Sequence, residues 1–295
     1  MLINNMLEKK RKEQVSKDLT AHRKEYSESW QKDAEYFFEK SYYKWMAEHI
    51  AHSKNILEIG CGTGYSTLAL LNEGHKVISI EENSFCIDKT EALLNSKGFN
   101  VAKINNREVY EASPDYGYKL SYKDVDNKSE DYDVILVQGD IINDSSFIKW
   151  LKEEVQFPIS AVICWLLGTH NSRGFNKVFD LNEVKNSSDA RIYTQNIIYE
   201  LCDVILPDNG YLHIVDRAVD VDGIDIIKNV LINHKDQAST SKMEVLEAEY
   251  LNYEEPKGMQ MSVREITEDS KIVDRTGVYD DHNKIFVSIL SKKIG

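Results

Sequence analysis

From Asn55 onward, short apolar runs alternate with amphipathic stretches, and this rhythm limits what the chain can fold into more than any single motif does. Ile56 to Ile59 and Val77 to Ile80 have the length of buried strands, while Tyr65 to about Asn72 and Ser84 to about Ser96 carry apolar residues at helical spacing. Parallel strands need a crossover between them, so strand, helix, strand, helix implies a parallel sheet covered on both faces. Val134 to Val137, Ala161 to Leu167 and Tyr211 to Val215 supply further strands, and a helix from about Ala190 to Ile205 stops at Pro207-Asp208-Asn209-Gly210. A helix from about Ile224 to His234, a strand from Met243 to Tyr250 and a last strand from Lys284 to Ser291 complete the pattern. The prediction is an α/β fold: a seven-stranded, mostly parallel sheet with helices on both faces.

Residues 1–52 lack proline and glycine and carry apolar residues at scattered helical spacings, so a helical extension precedes the main domain, 53–295. It ends in an aromatic cluster, Tyr36, Phe37, Phe38, Tyr42, Tyr43 and Trp45, which reads either as core or as a lid. These helices have two open roles, capping a site or pairing with a second subunit as a homodimer. Two stretches break the alternation. Residues 101–131 read as an inserted hairpin, and 252–283 as polar, irregular chain.

At 295 residues with 42% hydrophobic side chains the chain can bury a large core. No run approaches the roughly 20 apolar residues that cross a bilayer, and charges from Glu8 to Lys12 stand where a signal peptide would be apolar, which predicts a soluble cytoplasmic protein without membrane contact. The net charge of −13 argues against a broad nucleic-acid surface. Lys9, Lys10, Arg11, Lys12, Lys17, Arg23 and Lys24 still outnumber the acids of the first 24 residues, and they read as a solvated helical face before an RNA contact. Cys61, Cys86, Cys164 and Cys202 are far apart and form no CxxC or CxxH pair, so free thiols are expected, with no disulfide and no metal site.

The motif that carries chemistry is Glu58-Ile59-Gly60-Cys61-Gly62-Thr63-Gly64, at the junction of the first strand and first helix. Glycines there let backbone N–H groups approach a ligand closely. The second strand ends in Glu81-Glu82, where an acid can accept hydrogens from both ribose hydroxyls of a nucleoside. A nicotinamide-dinucleotide fingerprint would need glycine at position 65, which is tyrosine.

ExGxGxG followed by an acidic second strand resembles the class I S-adenosylmethionine-dependent methyltransferases, over about residues 55–217. The resemblance implies a Rossmann-like fold and S-adenosylmethionine as cofactor. By it, Gly60, Cys61, Gly62 and Gly64 wrap the methionine and ribose portions, Glu58 orients the methionine end, and Glu81 binds the ribose, with Glu82 the weaker candidate. Asp140, at the end of Asp133 to Ile141, would receive the adenine amino group with Ile141 against the ring, and backbone near Cys164 would receive the cofactor's amino group. Two other readings of Asp140 stay open: a helix N-cap, or the catalytic position if its strand is the fourth rather than the third.

Ligands in such sheets bind beyond the carboxyl ends of the strands, so Cys164 to Asn171 should face the transferred group. His170 is the candidate general base, because an imidazole titrating near 6.5 suits proton removal from an amine or hydroxyl; the plainer reading is a histidine bonded to a loop carbonyl. Asp216 and Arg217 end the fifth strand and read either as acceptor-site residues or as a surface ion pair. The absence of DPPY and NPPY counts against amino-methyltransferases acting on DNA bases or glutamine, and no cysteine pair resembles that of RNA cytosine methyltransferases. The expected reaction is in-line methyl transfer to a small-molecule or protein acceptor. The alternatives are aminocarboxypropyl or aminopropyl transfer from the same cofactor, and a cofactor-binding scaffold without turnover.

Overall fold

The computed structural model describes residues 2–113, 117–126, 132–155, 157–179, 184, 187–219, 225–256, 260–266, 272–278 and 283–295. Two helices open the chain, α1 (Leu2–Glu39) and α2 (Tyr42–Glu48). The alternating part follows: β1 (Asn55–Ile59), α3 (Tyr65–Asn72), β2 (Lys76–Glu81), α4 (Ser84–Ser96), then β3 (Val101–Ile104) and the hairpin β4 (Glu108–Ser113) and β5 (Gly117–Tyr122). It continues with β6 (Val134–Gln138), α5 (Ser145–Glu153), β7 (Ala161–Trp165), a 3-10 turn at Asn171–Phe175, α6 (Ser187–Ile205) and β8 (Tyr211–Val219). Last come α7 (Ile226–Ala238), β9 (Met243–Tyr253), β10 (Gln260–Ile266), β11 (Ile272–Val278) and β12 (Lys284–Lys293).

The main sheet runs β9-β12-β8-β7-β1-β2-β6-β3, with β12 antiparallel to both neighbours and the other pairs parallel. This is a doubly wound, Rossmann-like α/β architecture. The seven expected strands are all present, but the sheet has ten. The three extra strands lie in the two stretches read as insertions. Val101–Ile104 pairs with β6 as an edge strand before the expected hairpin begins. Residues 252–283 are not irregular throughout: β10 and β11 pair antiparallel, and Arg264 meets Ala218 of β8, which extends past the end of β7. That stretch is rich in β-branched residues (Val263, Ile266, Ile272, Val273, Thr276, Val278), which favour extended backbone, and its polar residues hid the signal. The remaining positions of both insertions, 114–116, 127–131, 257–259, 267–271 and 279–282, lie outside the described residues.

β6 pairs with β2 and β7 pairs with β1, so the strand ending before Asp140 is the third of the winding and Ala161–Trp165 the fourth. Asp140 is not a helix N-cap either, since Asp144 caps α5 by accepting from Phe147 N at 3.0 Å.

Side chains alternate across the pleat, so each central strand feeds both cores. Ile56, Leu136 and Ile163 join α1 to α4 on one face, and Leu57, Ile135 and Val162 join α5 to α7 on the other. Each fully buried aliphatic side chain stabilises the fold by about 1.5–3 kcal/mol relative to exposure. The amino-terminal helices belong to the first core: Phe37 is fully buried and meets Phe286 edge-on at 5.3 Å and Tyr253 at 5.6 Å. Earlier on α1, Val15 and Leu19 pack on Tyr118 and Leu120 of β5, tying the helix to the hairpin. The four cysteines are buried and free. Among the described residues no helix is long and apolar enough to cross a membrane.

Candidate active site

The carboxyl ends of β1, β2, β6 and β7 open into one cavity of about 950 Å³, its mouth included. The glycine loop forms its floor. Gly62 has φ +51° and Gly64 φ +90°, conformations that glycine takes at little cost, and a Cβ on Gly62 would strike the Trp30 indole. Gly60 N donates to Ile80 O at 2.8 Å and Gly62 N to Glu81 Oε2 at 3.0 Å, which joins the loop to the end of β2.

Glu58 lies outside the cavity lining. Its two carboxylate oxygens accept from Ser66 Oγ and Thr67 Oγ1, both at 2.6 Å, so it pins the first turn of α3 to β1. Burial raises its carboxyl above the ordinary range, against those hydroxyl bonds. Gly60, Cys61 and Gly62 line the cavity; Gly64 turns the chain into α3 against Thr90.

Glu81 lines the cavity and accepts from two backbone amides, Gly62 N and Asn83 N (2.9 Å). Burial pushes its carboxyl up to about 7 despite those bonds. Glu82 also lines the cavity but is gripped by Arg23 of α1, whose guanidinium meets Glu108 of β4 at 2.7 Å as well. Burial alone would raise Glu82; Arg23 and then His170 reverse this and hold it well below the carboxylate range. Asp140 accepts from Ile142 N at 3.2 Å and forms an ion pair with Arg173 at 2.6 Å. An adenine amino group reaching Asp140 would share it with that guanidinium. Ile141 lines the cavity beside it.

The segment after β7 crosses above these acids. Leu166 turns with φ +54° and its amide donates to Val215 O at 2.7 Å. Leu167, Gly168, Thr169 and His170 then line the cavity, whereas Cys164 stays buried in β7 outside that lining. The segment is held from above: Gly168 sits against the Tyr26 hydroxyl, His22 Nδ1 meets Ser172 Oγ at 2.6 Å, and Tyr118 donates to Ser172 O at 3.0 Å. His170 Nε2 lies 3.3 Å from Glu82 Oε2 rather than on a loop carbonyl. His170 Nδ1 and Thr169 Oγ1 are buried without a hydrogen-bond partner.

Asp216 and Arg217 neither pair with each other nor line the cavity. Asp216 accepts from Gln195 Nε2 at 2.9 Å, and Arg217 stacks on Trp30 at 5.6 Å and reaches Glu255 at 3.4 Å. They are consecutive strand residues, so their side chains leave opposite faces of the sheet.

Of the aromatic cluster, Tyr43 reaches the cavity, while Phe37 and Tyr42 pack with Phe286. The helix contributes Tyr26 and Trp30 instead, upstream of the cluster. Sequence reading missed these two and Arg173, and it put Arg23 on a solvated basic face, whereas Arg23 is buried against Glu82 and Glu108. A signal was present: Arg23, Tyr26, Trp30, Ala34 and Phe37 recur at intervals of three or four, one face of a helix. Nothing in the sequence marks Arg173 as the partner of Asp140.

A class of ligand follows from this geometry. Glu81, Glu82 and Asp140 line the same cavity as Tyr26, Trp30 and Tyr43, so carboxylates that can accept from hydroxyl or amino groups stand together with aromatic rings.

No family model matches the chain and no curated protein matches it. Solved structures do. A S-adenosylmethionine-dependent methyltransferase from Methanosarcina mazei is 12% identical, covering 82% of this chain and 93% of its own, with a TM-score of 0.39. An rRNA methylase from Streptococcus thermophilus is 13% identical over 82% of this chain and 88% of its own, TM-score 0.38. The [4+2]-cyclase SpnF is 9% identical over 85% and 81%, TM-score 0.42. All three likenesses are at low identity, 9–13%.

Proposed function

We propose that this protein is an S-adenosylmethionine-dependent methyltransferase acting on a small-molecule acceptor. The observation that carries the reading is Glu81, a half-buried acid lining the cavity and joined through Gly62 N to a positive-φ glycine loop, with lone pairs left for two ribose hydroxyls. When bound, S-adenosylmethionine supplies a methyl group already activated by the sulfonium charge. The protein's contribution is then to orient and to exclude water. The glycine loop and Glu81 would hold the nucleoside, while Tyr26 and Trp30 of α1 and the segment after β7 line and cover the cavity. That cover supports a small acceptor over a macromolecular one.

Calorimetric titration with S-adenosylmethionine and with S-adenosylhomocysteine tests the reading. Both should bind one to one, and folded protein that binds neither refutes it. The nucleoside left after turnover separates the chemistries: adenosylhomocysteine marks methyl transfer, and methylthioadenosine marks aminocarboxypropyl or aminopropyl transfer. Binding without labelled product from any fraction of a cell extract supports a scaffold instead.

A further inference from the structure

We propose that Glu82 and Arg23 prepare His170 as a general base acting through Nδ1, so that the acceptor is a group with a proton to lose, a hydroxyl or an N–H. The proposal rests on the methyl-transfer reading. His170 is buried and held at one nitrogen only, Nε2, by Glu82 at 3.3 Å. Glu82 is in turn fixed by Arg23, whose Nε lies 3.0 Å from Glu82 Oε1 and whose other nitrogens reach Glu108. An ionised carboxylate can only accept, so the imidazole hydrogen sits on Nε2 and the lone pair on Nδ1. That second nitrogen has no partner, and neither has Thr169 Oγ1 on the adjacent residue of the same cavity wall. Buried polar atoms without partners are unfavourable, and a polar ligand group would satisfy both.

Glu82 contacts the imidazole, Arg23 of α1 stands behind Glu82, and Glu81, Asp140 and Arg173 are the other charged groups that line the cavity with it. In the reaction the acceptor's proton moves to Nδ1. The acceptor's electron pair forms the bond to the methyl carbon, and the carbon–sulfur pair goes to sulfur. The imidazolium that results keeps its Nε2–H on Glu82, which stabilises the new charge. Glu82 and Arg23 are positioning residues. They explain why an acid next to the ribose candidate is already committed to a salt bridge with the amino-terminal helix.

Three measurements on the full chain test this. Long-range proton–nitrogen NMR of uniformly labelled protein at pH 8, assigned with H170Q, should show His170 protonated at Nε2 and bare at Nδ1; the reverse tautomer overturns the proposal whether or not any cofactor binds. Glu82→Gln keeps the shape but removes the charge and replaces one accepting oxygen with a donating NH2. With H170Q, it should bind S-adenosylhomocysteine within about tenfold of the parent, and a larger loss assigns both side chains to the cofactor and overturns the proposal. Transfer of labelled methyl groups to the small-molecule fraction of a cell extract should fall by about 10² or more in H170Q, since general base catalysis contributes at least that much. Unchanged transfer overturns it. Failure of the parent protein to bind adenosylhomocysteine defeats the methyl-transfer reading itself, a separate outcome from any of these.

Discussion

Replacing Glu81 by glutamine should make the unliganded protein more stable at pH 8 while removing most of its affinity for S-adenosylhomocysteine. Burial raises the Glu81 carboxyl from 4.5 to about 7, against the stabilising amides of Asn83 and Gly62. The folded value lies above the unfolded one, so between about pH 4.5 and 7 the folded protein retains a proton that the unfolded chain has released. Stability therefore falls as pH rises through that window, and the penalty is complete above it. A displacement of that size corresponds to about 3 kcal/mol. Glu81 is partly open to the cavity, and glutamine cannot accept both amide bonds as well as a carboxylate does, which reduces the net gain to about 1–2 kcal/mol. Binding moves the other way. Two charge-assisted hydrogen bonds to ribose hydroxyls, at about 1.5–3 kcal/mol each, are worth a hundredfold or more in affinity. Urea unfolding of parent and E81Q at pH 5 and pH 8, with calorimetry at pH 8, measures both effects. A variant less stable than the parent at pH 8 refutes the penalised carboxylate, and affinity within about threefold of the parent refutes the ribose assignment.

Gly62→Ala should lose about 1–3 kcal/mol, because alanine is strained at φ +51° and its Cβ meets the Trp30 indole; adding Trp30→Ala should recover the steric part only, a non-additivity that thermal melts of the two single variants and the double variant will show. Arg107→Ala should cost about 3–5 kcal/mol in urea unfolding, since it strands the buried carboxylate of Asp144, bound by Arg107 at 2.6 and 2.9 Å. His213 accepts from Trp165 Nε1 at 3.0 Å, and burial holds its value well below 6.5. The unfolded chain takes up that proton as pH falls below about 6.5, so stability contributed by neutral His213 is lost toward acid; His213→Gln should flatten the decline between pH 7 and 5, and an unchanged slope refutes it.

Local periodicity and turn chemistry carried the seven-strand core and the glycine loop, because these depend on neighbours along the chain. Ile56 to Ile59, Val77 to Ile80 and the glycines between them mark their own conformation. The same reading missed β3, a four-residue edge strand that pairs with β6, some thirty residues on, and missed β10 and β11 because half of a hairpin at the sheet margin is polar. Four residues are too few for β3 to show a period of its own.

The cavity divides in the same way. Gly60, Gly62, Glu81, Asp140 and His170 were legible one by one, as residue types at strand ends that the winding of the sheet must bring together. What only the tertiary structure decided is how they are committed: Glu58 to Ser66 and Thr67, Glu82 to Arg23 and His170, Asp140 to Arg173, and the glycine loop to Trp30. Ser66 and Thr67 are near neighbours of Glu58 in sequence, but Arg23 and Trp30 come from a helix some thirty residues before the loop, and His170 and Arg173 from a segment over a hundred after it. A side chain's pKa and role depend on charges and burial within a few ångströms, and no period in the sequence records which distant segment will supply them.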